Sequence, residues 1–508
     1  MILIYPPVAK PCEPPAGLAK LSGALNQHKI RHEVLDANLE ALLYVMNSLR
    51  LQTVSPADKW TARAFRNLFR NYASLKDWRT YSHLDRYKRS VIDMNHAIEM
   101  SVDNGVFLGL ADFHHQELSP LRSNDLIRAA ENPEHNPFYP YFRKRLLELV
   151  QKGNSSVGFS LNYLSQALCT FAMAGLLRKE FPGLTIVLGG GLVTSWMRNP
   201  DWKNPFKGLV DFLVAGPGEY RLLSILGIKG IQEEHFTPCY GSLPLNDYLS
   251  PGLILPYSAS NGCYWNKCSF CPEKAEDNPY IPTPVDKVTN DINILTTKTN
   301  SLMVHLLDNS ISTALLKRLA DNPLNVPWYG FARISNLLTD TDFCMALKKS
   351  GCVMLKLGLE SGYQGVLDQM QKGINIETAS LVLKTLRKAG IAAYVYLLFG
   401  TPAETLTEAR ETLEFVIKHK DEINFLNLAL FNMPVCGTEA GKFETRSFYE
   451  GDLSLYTDFL HPKGWDRKKV RQFIDNEFKK NKAVSEILKK DPPIFTSNHA
   501  PLFAMKQG

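Results

Sequence analysis

Twice along this chain, short apolar runs alternate with segments of helical spacing, and this alternation restricts the fold more than any other feature. Strands separated by helices must cross over and pair in parallel, so parallel sheets with helices packed on them are expected. The first alternation opens with Ile2–Tyr5, stopped by Pro6-Pro7. A helix marked by Leu18, Leu21 and Leu25 follows, then a short strand at Val34–Leu35 ending in Asp36. It resumes with Ser156–Ser160, a helix through Leu176–Glu180, and Thr185–Leu188 running into Gly189-Gly190-Gly191. Phe212–Val214 then leads into Gly216-Pro217-Gly218-Glu219 and another helix. From about 45 to 150 the chain is charged and lacks strand alternation, which predicts a helical insertion. The second alternation has strands near Ile254–Ala259, Met303–Leu307, Trp328–Ala332, Met354–Gly358, Ala393–Phe399 and Phe425–Leu430. Six such β/α units make most of a β/α barrel, whose sites lie at the strands' carboxyl ends.

The expected class is therefore α/β. A Rossmann-like, doubly wound domain spans 1–230, a Pro-, Gly- and Asn-rich linker 231–255, a partial (β/α)6 barrel 256–440, and a helical C-terminal extension 441–508. A chain of 508 residues has room for more than one core. No run of eighteen apolar residues is present, so no transmembrane helix is expected. The opening Met1-Ile2-Leu3-Ile4-Tyr5 lacks a basic leader and reads as a first strand rather than a secretory signal. Residues 461–508 carry eleven Lys or Arg against five Asp or Glu, an excess of six that equals the whole chain's net charge of +6. Without an RNA-binding motif beside it, that excess reads as a solvated helix face, and no nucleic-acid partner is expected.

The chemistry points to one loop. Cys263, Cys268 and Cys271 lie within nine residues, just after the first strand of the second alternation. Thiolates are preferred ligands of iron–sulfur clusters and of structural zinc, and either site takes four ligands. No fourth Cys or His is near, the next being His305 and Cys344. Three close cysteines thus suggest a 4Fe–4S cluster with one open iron. A zinc knuckle completed from elsewhere is the alternative. The other cysteines, Cys12, Cys169, Cys239, Cys344, Cys352 and Cys436, are scattered, as expected of a reducing cytoplasm.

The loop resembles that of radical S-adenosylmethionine (SAM) enzymes, whose three cysteines are usually spaced by three residues and then two, with an aromatic before the last. Here the spacing is four and then two, with Phe270 before Cys271. Later strand ends extend the resemblance over about 256–440. Leu307-Asp308-Asn309 is similar to the family's polar segment after the second strand, and Arg333 ends the third. Gly358-Leu359-Glu360-Ser361-Gly362 resembles a Gly-x-Glu-Ser-Gly element, and Gly400-Thr401-Pro402-Ala403-Glu404 the turn beside adenine. The resemblance implies SAM binding by Phe270, Asp308, Arg333, Glu360, Ser361 and Gly400, with Arg333 on the SAM carboxylate. Lys372 reads as either near SAM or solvated. Cys436, in a segment resembling Pro-x-Pro-Gly-Thr, would close the cluster to SAM if it were a fourth ligand.

The glycine-edged first domain resembles the cobalamin-binding domain that precedes the barrel in one large radical SAM group. The residues implied for cobalamin are Pro6, Ser160, Leu161, Gly189, Gly190, Gly191, Gly216, Gly218 and Glu219. The loop after the first strand, Val8 to Glu13, offers no histidine to cobalt, and His114 and His115 read as surface or core residues. A nucleotide-free remnant used only for packing is the alternative.

The resemblance implies a 5′-deoxyadenosyl radical that acts on a small-molecule substrate, with an electron donor such as flavodoxin or ferredoxin. Methylation of an unactivated carbon is the favoured reaction. Cyclisation, ring contraction or oxygen insertion is the near alternative, and a non-catalytic iron–sulfur protein the distant one. A nucleic-acid methylthiolating enzyme would usually bring a second cysteine trio, which is not seen. Trp328 and Tyr329 are candidate pocket residues, as are Asn498 and His499 if the tail folds over the barrel.

Overall fold

The computed structural model of the protein describes residues 1–51, 58–103, 105–230, 235–446 and 451–505. Two compact units divide the chain, one formed by Met1–Leu253 with residues 451–455, the other by the remainder.

In the first unit five strands pair, all in parallel: β1 (Ile2–Tyr5), β2 (Glu33–Asp36), β3 (Ser156–Ser160), β4 (Thr185–Gly189) and β5 (Phe212–Val214). Their spatial order is β2-β1-β3-β4-β5. This is a doubly wound order that reverses direction between β1 and β3, where such sheets leave a ligand crevice. Ile2, Leu3 and Ile4 are buried on both faces, as an unbroken apolar run in a parallel sheet requires. Helix α1 (Ala16–Gln27) packs its Leu18 and Leu25 against Leu3. Helix α2 (Leu164–Glu180) is buried from Gln166 to Leu177, because it is covered by the insertion as well as by the sheet.

That insertion is helical, with one short hairpin, Val106–Leu108 against Phe113–His115. Helices Lys59–Leu75 and Leu84–Glu99 pack together, the first capped by Asp58 accepting from Trp60 N and Thr61 N. Trp60 stacks on His96 at 3.6 Å, and Arg63 grips Asp93 with two hydrogen bonds. His114 lies exposed on the hairpin beside Asp112. The stretch expected as a linker has its residues 231–234 outside the described residues; 235–253 belong to this unit, and 254–255 open the first strand of the second. Cys239 N donates to Ala19 O, Leu249 N donates to Pro11 O, and Tyr248 Oη donates to Asp36 at 2.6 Å. Burial raises the Asp36 carboxyl to about 6 despite these donors.

The second unit holds β6 (Ile254–Tyr257), β7 (Met303–Leu306), β8 (Trp328–Ala332), β9 (Cys352–Glu360), β10 (Ala392–Phe399) and β11 (Ile423–Leu430). They pair in parallel in simple consecutive order, as an open β/α barrel requires. The intervening helices are punctuated by their own sequences. Asn375 caps helix Ile376–Ala389, which ends at the left-handed Gly390. Thr405 and Glu408 form a capping box at helix α3 (Leu406–Lys418).

The C-terminal extension is not helical throughout. It begins with a small antiparallel sheet of Met433–Pro434, Thr445–Arg446 and Tyr456–Phe459. Helix Arg467–Phe473 then widens into a π-turn at Ile474–Phe478, followed by Lys482–Leu488 and helix α4 (Thr496–Ala504). Phe473 and Phe478 pack on Phe399 of β10, and Arg410 donates from Nε and Nη2 to the two carboxylate oxygens of Glu477. Several basic groups of this segment are used locally: Lys463 donates to Ala403 O, Arg467 to Phe431 O and Asn432, and Lys479 pairs with Asp475. Among the described residues no helix is long and apolar enough to cross a membrane.

Anchoring of the extension is therefore assigned to aromatic burial rather than to the ion pair. Phe478→Ala is expected to cost about 3–5 kcal/mol. Arg410→Ala, which loses an exposed pair, should leave the denaturation midpoint nearly unchanged. Guanidinium unfolding of both variants checks this, and equal losses would contradict it.

Candidate active site

The cysteine loop leaves the carboxyl end of β6, the first strand of the barrel. Its root is fixed by Asp308, at the end of β7, which accepts from Ala259 N at 3.1 Å and Ser260 Oγ at 2.5 Å. Asp308 is nearly fully buried, and burial raises its pKa. It was expected on SAM; its carboxylate instead holds the entry to the loop. Cys263, Cys268 and Cys271 are each partly exposed, and burial raises the thiols of Cys268 and Cys271, the latter to about 11. Among the described residues no three His, Cys, Asp or Glu side chains converge as they would on a single metal ion. Three thiols grouped in one loop suit a 4Fe–4S cluster, in which each ligates a different iron.

Phe270 packs against Val366, Leu367, Met370 and Ala403. This contact gives a reason for Ala403 at the expected glycine: its methyl completes the apolar floor under Phe270. Behind the loop, Lys372 and Glu360 form an ion pair at 2.7 Å, both side chains nearly buried, with the ammonium 5.4 Å over the Phe270 ring. Lys372 is thus neither solvated nor free. Glu360 ends β9 at φ 69°, which turns its carboxylate back over Gly358. Arg333, after β8, does not stand open as a fork for a carboxylate. Its guanidinium lies 3.7 Å over the Trp265 ring and donates to Lys372 O and to Gly373 O. Its charge opposes the burial that raises the Cys268 thiol.

Two further expected positions turn out to be internal. Ser361 is fully buried, its Oγ bonded to Thr412 of α3 and to Tyr363 N, because Gly362 brings the β9 loop against that helix. In this position it anchors the loop. Trp328 points into the helical layer and donates to Ser350 O, so it is core rather than pocket. Tyr329, the next residue, faces the other side of the sheet, stacked on His305 at 4.3 Å with Lys356 over its ring. Helix α4 packs against β9. Its Asn498 and His499 are buried within the packing.

The turn after β10 is held from three sides. Gly400 N donates to Glu404 Oε2 at 2.6 Å, and Trp465 Nε1 donates to the same oxygen at 3.0 Å. His461 Nε2 bonds Thr401 O. Glu404 is fully buried, and its other oxygen has no hydrogen-bond partner among the described residues. Burial raises its carboxyl to about 7, against the lowering effect of its two donors. The tail residues His461 and Trp465 were not singled out from sequence, since nothing local links them to residue 404.

At the carboxyl edge of the first unit, two glycine-bearing loops are laced together. Leu161 N donates to Gly189 O, Leu192 N to Leu161 O, and Gly191 N to Asn162 Oδ1. Gly190 has φ 112°, and a Cβ there would lie 2.3 Å from Leu161 O, so only glycine fits. Ser160 Oγ accepts from Asn162 Nδ2, and Pro6 O accepts from Gln166 Nε2. Gly216 N donates to Thr194 Oγ1, and Gly216 has open space beside it. Gly218 caps helix Glu219–Ile225. Glu219 is buried and paired with Lys20 at 2.9 Å, so its carboxylate ties α1 to the turn. The crevice between the β1 and β3 ends is thus bordered by backbone and by small side chains.

Residues 257–416 match the family described as the Radical SAM superfamily. An uncharacterized methyltransferase of Pyrococcus horikoshii is 25% identical over 239 residues, 42% of this chain and 50% of that protein. The anaerobic magnesium-protoporphyrin IX monomethyl ester cyclase of Rubrivivax gelatinosus is 25% identical over 35% of this chain and 34% of its own. The chain therefore spans half or less of the length of these curated relatives. A radical SAM methyltransferase from Kitasatospora setae, solved with tryptophan substrate and a SAM analogue, aligns with a TM-score of 0.52. The alignment covers 85% of this chain and 73% of that one at 16% identity, a likeness of fold.

The buried Glu404 predicts a pH signature. Its folded pKa of about 7 exceeds the ordinary 4.5, so the native state holds an extra proton between those values and stability falls as pH rises through that window. Glu404→Gln keeps an acceptor for Gly400 N and Trp465 and should flatten that decline. Thermal unfolding of both proteins from pH 4.5 to 7.5 checks it; parallel pH profiles would contradict it.

Proposed function

Because residues 257–416 form a radical SAM domain, we propose that this chain is a cobalamin-dependent radical SAM enzyme that methylates an unactivated carbon of a small molecule. The observation that carries the reading is the thiol trio of Cys263, Cys268 and Cys271 at the carboxyl end of the first strand of a parallel six-stranded barrel. When bound, a 4Fe–4S cluster and SAM supply a reducing electron and the 5′-deoxyadenosyl group it releases.

The chain's residues would divide the work of holding these groups. The three cysteines ligate the cluster. Phe270 and the turn at Gly400 offer the apolar surface and backbone suited to SAM's adenosine, and the Lys372–Glu360 pair supplies charge of both signs beside them. Asp308 and Ser361 position the loops from behind. In the first unit the crevice at Pro6, Ser160, Leu161 and Gly189–Gly191 suits a nucleotide tail, which needs close backbone approach. Cobalamin there would supply a methyl carrier, and the Val8–Glu13 loop would offer it no histidine. We place the enzyme in the cytoplasm, where scattered free thiols persist and a flavodoxin or ferredoxin supplies the electron.

Similarity to a named cyclase favours one second reading, radical chemistry without methyl transfer. Anaerobic incubation of the reconstituted protein with methyl-deuterated SAM and dithionite separates the two. The methylating reading expects 5′-deoxyadenosine together with deuterium on bound cobalamin; 5′-deoxyadenosine with no labelled cobalamin favours the second reading. Cys268→Ala should abolish both the visible cluster band and 5′-deoxyadenosine formation, and a variant retaining both would contradict the assignment.

A further inference from the structure

Between Cys263 and Cys268 this chain carries one residue more than the commoner spacing, and the longer stretch holds Trp265. The indole is enclosed on several sides. The guanidinium of Arg333 lies 3.7 Å from its ring centroid and the Lys267 ammonium 4.9 Å. Its Nε1 donates to Gln371 O at 3.2 Å. At Gly373, with φ 62°, a Cβ would stand 2.2 Å from Trp265 Cζ2 and 2.9 Å from Arg333 Nη2, so the turn has given up its side chain to admit both. Ser269 N donates to Met370 O, which ties the second half of the loop to the same turn.

Arg333 is the centre of this arrangement. One nitrogen, Nη2, serves both Lys372 O and Gly373 O, and one planar face is covered by the indole of the cysteine loop. A guanidinium fixed in this way keeps its charge on the stretch between Cys263 and Cys268. Positive charge and hydrogen bonds at a cluster's cysteine sulfurs stabilise the reduced, more negative state and so raise its reduction potential. Arg333 is the more effective because it is partly withdrawn from solvent, where screening is weak.

We propose that Trp265 and Arg333 form one positioning unit, in which the indole seats the guanidinium on the cysteine loop and the guanidinium raises the potential of the cluster. The proposal rests on the cluster assignment above and differs from the role implied by family resemblance, in which Arg333 pairs with the SAM carboxylate. The two roles separate experimentally. The reconstituted full chain is titrated electrochemically with the reduced cluster followed by electron paramagnetic resonance, without SAM, for wild type, Arg333→Gln, Trp265→Leu and Trp265→Phe. SAM affinity is measured on the oxidised proteins by equilibrium dialysis.

Arg333→Gln and Trp265→Leu should both move the midpoint potential to more negative values, with Trp265→Phe between them and wild type. SAM affinity of the Trp265 variants should stay within about threefold of wild type. An unchanged potential in Arg333→Gln, with SAM binding weakened by about 10–100-fold as expected for loss of a charged hydrogen-bond pair, would overturn the proposal. So would a shifted potential in Arg333→Gln but none in either Trp265 variant, since the indole would then have no seating role. If Trp265→Leu does not take up iron, Trp265→Phe still reports the effect. Failure of the wild-type chain itself to form a paramagnetic cluster on reduction would instead count against the iron–sulfur assignment.

Discussion

A strand that joins its sheet in parallel must be followed by a crossover, and this requirement sends every loop after a strand to the same edge. The rest of the structure depends on it. In the second unit it brings the cysteine loop after β6, Asp308 after β7, Arg333 after β8, Glu360 at the end of β9 and Gly400 after β10 to one rim, although they are spread over more than a hundred residues. In the first unit it aligns Pro6, Ser160, Gly189 and Gly216 along the edge where the strand order reverses. A concentrated site is thus a consequence of connectivity, and side chains refine what the topology has already gathered.

Refinement consists largely of burying groups that hold loops still. Asp308 holds the root of the cysteine loop, Ser361 the β9 loop, Glu404 the β10 turn and Glu219 the β5 turn. Each is a polar group nearly or fully removed from water and bonded to fixed partners, and such burial is costly unless those partners stay in place. That coupling explains why the tail matters. Trp465 and His461 reach the turn after β10 from a segment some sixty residues later, so order in the C-terminal extension is transmitted to the rim.

Much of this could be read before any coordinates. Alternating apolar runs located the eleven strands of the two parallel sheets to within one or two residues at most ends, because strands buried on both faces leave a plain apolar signature. The cysteine loop was legible because three thiols in nine residues rarely arise for packing. The motifs marked loops that gather at the strands' carboxyl ends, but they told less of what each side chain touches. Asp308, Ser361 and Glu219 belong to the expected loops, yet their polar atoms face inward. Trp328 and Tyr329 are adjacent and point to opposite faces, which a list of aromatic residues does not reveal. The stack of Arg333 on Trp265 joins residues 68 positions apart and has no local signal at all. Long-range side-chain contacts of this kind depend on how loops lean toward one another at the rim, and sequence spacing carries little of that information.

The account stands on two groups bound by one chain, and the most direct measurement counts them. The full-length protein is purified anaerobically after iron, sulfide and hydroxocobalamin have been supplied, and its iron, sulfide and cobalt are quantified together with the visible spectrum. The account predicts about four iron and four sulfide per chain with a cluster absorption band, and about one cobalt in a spectrum without imidazole ligation. Zinc in place of iron would contradict the barrel's assigned chemistry, and a full cluster without cobalt would contradict the role given to the first unit.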